Sequence, residues 1–151
     1  MNATVLSGKR NILPLLVVAF LLVVGRADLA SAGPGHRLEI LYMNHGPMRP
    51  TIAKIRDLLA PHTGSIQAVW YDFDTPAGKR FMKDKKLKGH IPLLLVLDGR
   101  SDFLVNGRPV RLQGFPSGAG PFKSVEGDWS LEDLQTILAE QVRQKNEHGG
   151  R

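Results

Sequence analysis

A chain of 151 residues, 42% hydrophobic and 23% charged, has the make-up of one folded domain rather than of a chain disordered throughout. It carries no cysteine, which excludes disulfides, thiolate metal sites, cysteine nucleophiles and thiol–disulfide oxidoreductase activity. Its net charge of +6 favours acidic partners or an anionic membrane surface, and no nucleic-acid motif accompanies it.

Residues 1–32 read as a signal peptide. Lys9 and Arg10 form a basic start, residues 12–24 are an apolar run broken by Pro14, and Ala30-Ser31-Ala32 is the small-x-small pattern of a cleavage site. The run is shorter than the ~20 apolar residues of a membrane span. The alternative is an uncleaved anchor through residues 12–25, the case in which the membrane becomes a partner. On either reading the remainder is exported, periplasmic or extracellular, which argues against nucleic acid. Cleavage would start the mature chain at Gly33. It would remove Lys9, Arg10, Arg26 and Asp28 and lower the net charge to +4.

Residues 33–145 then make the domain. A strand is expected over 37–43, with Leu38, Ile40 and Tyr42 on one face and Leu41 and Met43 on the other. The turn Asn44-His45-Gly46-Pro47 leads into a helix to Ala60, with Ile52, Ile55, Leu58 and Leu59 at helical spacing and Pro50 in its first turn. Pro61 and Gly64 stop it. A second strand is expected over 65–74, and a short helix over 75–87 through Phe81 and Met82. The unbroken apolar run of 91–97 predicts a strand buried on both faces. Asp98-Gly99 and Asn106-Gly107 are hairpin turns, flanked by strands at 103–105 and 110–115. Residues 116–127, rich in Gly, Pro and Ser, read as an exposed loop. Ser130 and Asp133 form a capping box on a last helix striped by Leu131, Leu134, Ile137, Leu138 and Val142, with Trp129 as its staple. Residues 146–151 are expected to be a flexible tail.

The chemistry-bearing residues gather at few places. Asn44-His45-Gly46-Pro47-Met48-Arg49 resembles the Trp-Cys-Gly-Pro-Cys-Lys segment of thioredoxins, with His45 and Met48 in the cysteine positions. Gly89-His90-Ile91-Pro92, followed by an apolar strand and Asp98-Gly99, resembles the family's Gly-Ile-Pro segment. Together with the element order these place the chain beside the thioredoxin-like superfamily, as a cysteine-less, redox-inactive, exported member. The resemblance spans roughly Leu38 to Arg143 and departs from the family in the missing cysteines and in the longer stretches 100–115 and 116–127.

It implies an α/β thioredoxin-like fold, a central mixed sheet flanked by helices. It also implies a cis-proline at Ile91-Pro92 beside a groove that takes an extended peptide by backbone pairing. That groove would be lined by His45, Pro47, Ile91, Pro92, Gly114 and Phe115. A non-catalytic binding or assembly-assisting module with a protein or peptide partner follows from it.

Two alternatives remain open from the residues. Met43, His45, Met48 and His90 are a donor set of thioether and imidazole that suits Cu(I), as in thioredoxin-like copper chaperones. Against that, methionine is an ordinary core filler and His45-Met48 is equally a relic turn. The other alternative is an enzyme of non-thiol chemistry on the same scaffold, although no Ser–His–Asp order, phosphate loop or zinc spacing occurs. Finally, Lys79, Arg80, Lys83, Lys85, Lys86 and Lys88 crowd into one short stretch with Asp84 as its one acid. It reads as a docking patch for an acidic surface or as a solvated helix face. Trp70, Tyr71 and Phe73 read as core.

Overall fold

The computed structural model describes residues 35–149, so the expected signal at 1–32 lies outside the described residues. The chain runs β1 (His36–Tyr42), α1 (Arg49–Leu59), β2 (Ile66–Asp72), α2 (Pro76–Asp84), β3 (Leu93–Leu97), β4 (Asp102–Val105), β5 (Arg108–Arg111) and α3 (Leu131–Gly149). Short 3-10 turns occupy Gly46–Met48, Ala60–His62 and Lys123–Val125. This is a mixed α/β fold.

The sheet has the order β2-β1-β3. β1 and β2 are parallel, Ile40 opposite Trp70, as the crossover through α1 requires. β3 is antiparallel to β1, Ile40 opposite Leu95. β4 and β5 form a separate hairpin around Asn106-Gly107, whose positive φ angles (51° and 77°) fit the primed turn that this dipeptide favours.

The strand expected over 110–115 is in fact two pieces. Up to Arg111 it pairs with β4. The Gln113 N–H then turns back on the Arg111 carbonyl (2.8 Å), and the chain crosses to β3. There Leu95 donates to the Leu112 carbonyl and Gly114 to that of Leu93, both at 2.9 Å. One stretch thereby serves two ladders, and residues 112–114 lengthen the sheet on the β3 side.

The alternation of side chains builds two layers. Leu38, Ile40, Leu93, Leu95 and Leu97 share one face with Ile52, Ile55 and Leu59 of α1 and with Leu134, Ile137 and Leu138 of α3. Leu41, Leu94 and Val96 face the other way, onto Phe81 of α2 and Ile91. α2 lies close on the sheet because residue 78 is glycine: a Cβ there would sit 2.0 Å from the Asp72 carbonyl oxygen. Thr75 caps α2, its hydroxyl oxygen accepting the Gly78 N–H. The capping box of α3 forms in both directions, Ser130 N–H to Asp133 at 2.8 Å and Asp133 N–H to Ser130 at 3.1 Å. α3 continues to Gly149, past the end expected at 145, because no residue between breaks a helix. Among the described residues no helix is long and apolar enough to cross a membrane.

Residues 116–127 are exposed or half-buried apart from Pro116, in line with their composition, but they are also tied to the core by backbone contacts that composition does not show. They form a strap packed over the core. Pro116 is buried, Thr51 of α1 donates its hydroxyl to the Ala119 carbonyl, and Ser117 donates to the Trp129 carbonyl (2.6 Å). Phe115 exchanges hydrogen bonds with Val125 and Gly127, both at 2.7 Å. Polar composition hid these ties because most of them are made by backbone groups, which any sequence carries.

Candidate functional site

At the start of α1, His45-Gly46-Pro47-Met48 forms the 3-10 turn and its N-cap. His45 is exposed, its Nε2 3.3 Å from Asp74 Oδ2 in the turn after β2. Met48 (7% exposed) and Met43 (2% exposed) lie in the main core. His90 is exposed and meets the Phe73 ring edge-on, centroids 5.7 Å apart. The four expected copper donors are thus split, the two thioethers facing the core and the two imidazoles facing solvent. Among the described residues no three His, Asp or Glu gather as a metal-binding group.

The expected cis-proline is a correction: the described residues contain no cis peptide bond, so Ile91–Pro92 is trans. Trans is the favoured isomer before proline. The Pro92 carbonyl accepts the Met43 N–H at 3.1 Å, which continues the β1–β3 ladder one step past its strands. The groove expected around it also changes. Ile91 and Phe115 are buried in the core rather than lining a surface, and His45 and Pro47 stand outside the cleft described next.

That cleft, of about 560 Å³, opens on the other side of Pro92 and Gly114. Its floor is Pro92, Gln113 and Gly114. One wall is the β4–β5 hairpin through Phe103, Pro109, Val110 and the Asp102–Arg111 pair (2.7 Å). The other wall is the end of the strap, residues 124–128, and His90 stands at the rim. Beside it, the backbone N–H and C=O groups of His90 and Ile91 make no backbone hydrogen bond among the described residues. Sequence reasoning found Pro92 and Gly114 and missed the hairpin and strap, although Asn106-Gly107 announced the hairpin.

The strap wall is pinned in place. Arg108 donates to both carboxylate oxygens of Asp133 at 2.7 Å and to the Asp128 carbonyl at 3.0 Å, tying β5 to the strap and α3. Glu126 accepts Lys123 Nζ at 2.8 Å and the N–H groups of Gly118 and Gly120. Lys123, then those N–H groups, hold its carboxyl below the usual range. Burial works against the charge of Asp133, but Arg108 and Ser130 outweigh it and keep that carboxyl low as well. Asp98 is likewise low: burial opposes its charge, and the Arg37 N–H and the His36 ring prevail.

Each of these folded-state values lies below its unfolded one. The stability they supply is therefore complete above the unfolded carboxyl value of about 4 and is lost as pH falls through the folded values. Urea unfolding should accordingly give a stability that drops on acidification below about pH 4. Asp133→Asn should cost about 1–3 kcal/mol at neutral pH and flatten that acid limb. An acid limb unchanged in the variant would remove Asp133 from this account.

The basic run lies on α2 and the turn after it. Lys85 is held by Glu39 (2.6 Å), a side chain only 13% exposed on the α2 side of β1. Lys79, Arg80, Lys83, Lys86 and Lys88 are exposed, and their side chains make no ion pair among the described residues. Comparison of the chain with protein-family models, curated proteins and solved structures finds no match.

Proposed function

We propose that the chain is an exported, redox-inactive thioredoxin-like protein that works as a non-catalytic binding module, holding an extended peptide segment in the cleft beside Pro92. Support for the fold is the order β2-β1-β3 extended by residues 112–114, with α1 and α3 on one face and α2 on the other. The reading is further supported by the His45–Met48 turn at the head of α1 and by the loop before β3.

The observation that carries the binding reading is the pairing of free backbone with a formed cleft. His90, exposed at the rim, offers unpaired backbone N–H and C=O groups beside an apolar wall of Phe103, Pro109 and Val110. An extended segment satisfies such groups through its own backbone and seats alternate side chains against the wall. The pinned strap keeps the cleft open before binding, which lowers the ordering cost.

Selection of a random-peptide display library on the immobilised chain tests this. Peptides should be enriched, and the exposed substitution Pro109→Arg, which puts a long cation into the cleft mouth, should weaken the selected peptides at least about tenfold, a loss of ~1.4 kcal/mol. No enrichment, or equal binding to Pro109→Arg, would defeat the reading.

A further inference from the structure

The basic surface of α2 shares no residue with the cleft lining, and some of its positions carry a local cost. Lys79 and Arg80 occupy the N-terminal half of α2, where the helix dipole repels cations, and the first turn holds no acid. Lys79 and Lys83 are one turn apart, Arg80 and Lys83 three residues apart, like-charge spacings that weaken a helix. Lys86 has φ of 54°, the left-handed region that glycine fills most readily after a helix. Three cations on α2, with Lys86 and Lys88 in the stretch that follows it, thus have no side-chain ion pair among the described residues. Their charge is left for a surface outside the fold.

We propose that this face of α2 and the turn to Lys88 docks the protein on an anionic lipid surface. The composition of the patch favours lipid over an acidic protein. Four of the five free cations are lysines. Lysine is a compact, strongly hydrated charge without arginine's planar fork, and it is depleted from specific protein interfaces. A plane of mobile phosphates asks for no fixed geometry, and each basic side chain near it strengthens attachment roughly fivefold. Lys79, Arg80 and Lys83 are exposed on the helix face opposite buried Gly78 and Phe81, so they can meet such a plane together while α2 stays on the sheet.

Flotation of the full chain tests this, with vesicles of phosphatidylcholine alone and of phosphatidylcholine mixed with phosphatidylglycerol. The apolar run at 12–24 acts on both kinds of vesicle, so the readout is the ratio between them. The chain should prefer the mixed vesicles, and the preference should collapse in about 1 M salt. The triple variant Lys79→Ala, Lys83→Ala, Lys86→Ala should lose roughly a hundredfold of it, while its circular dichroism and melting temperature do not fall. Equal partition between the vesicles, or a triple variant with the parental preference, would overturn the proposal. Tighter capture by duplex RNA or polyglutamate than by mixed vesicles would overturn it too, and would assign the patch to that polyanion.

Discussion

Trp129→Ala should destabilise the fold by about 3–5 kcal/mol in urea unfolding. The indole is 1% exposed and lies in the main core. It sits immediately before the α3 capping box, so it anchors the point where the strap enters the helix. Its Nε1–H donates to the Gly114 carbonyl at 3.0 Å, a bond wholly inside the protein. Its own carbonyl accepts the Ser117 N–H, which closes the strap on itself.

Alanine removes the ring and strands the Gly114 carbonyl in a cavity. Trp129→Phe separates the two effects. It keeps most of the packing and loses the hydrogen bond, so it should cost about 1–3 kcal/mol, the penalty of one unsatisfied buried group. If Trp129→Phe proves as damaging as Trp129→Ala, packing is not the main term and this account of the strap is wrong.

Gly127→Ala should destabilise the fold as well. A Cβ at this position would lie 2.0 Å from the Gln113 carbonyl oxygen and 3.0 Å from the Trp129 ring. The first of these is backbone, which cannot swing aside as a flexible side chain would. Gly114, on the facing stretch, is under the same constraint: its φ is 78°, and a Cβ would meet the Gly127 nitrogen at 2.8 Å. The strap and the strand are therefore in backbone contact, and a single methyl group must push them apart. A loss of about 2–4 kcal/mol is expected, of the order of overpacking in a rigid core. Gly46→Ala supplies the control, since a Cβ there meets nothing within 4 Å and its φ is ordinary. Because Gly127 lines the cleft, Gly127→Ala should also lower peptide binding at temperatures where the fold persists. A variant destabilised by less than about 0.5 kcal/mol would show that the strap is not seated as described.

Much of the fold is legible in the amino-acid sequence. Helical spacing at Ile52, Ile55 and Leu59 marks α1, and the apolar run ahead of Asp98-Gly99 marks β3 and its turn. Ser130 and Asp133 mark the start of α3 because a capping box is local chemistry written within four residues. Periodicity and capping report on contacts between near neighbours, and at these elements the fold agrees with them.

The strap is not legible, for a physical reason. Its attachment depends on backbone hydrogen bonds to Phe115 and on two glycines, Gly114 and Gly127, that meet where it joins the strand, and neither leaves an apolar stripe. The change of partner along 110–115 is hidden in the same way, since one apolar stretch can serve two ladders. The candidate site is half legible. The loop ahead of Pro92 stands out by its resemblance to a known segment, but the expected cis bond is trans. The opposite wall comes from the hairpin and the strap, brought there by tertiary pairing. Met43 and Met48 carry two readings in the sequence, soft-metal donor and core filler. As residue types they suit soft metals, whereas the fold uses them to fill its core.

The measurement that bears most directly on the central claim is amide hydrogen exchange at His90, in the free chain and with a peptide selected on it. Fast exchange is expected at this exposed amide in the free chain, where it has no hydrogen-bond partner among the described residues, and marked slowing when the peptide is bound. Peptide binding that leaves His90 exchanging at the free-chain rate, with protection appearing elsewhere, would contradict the peptide-binding reading.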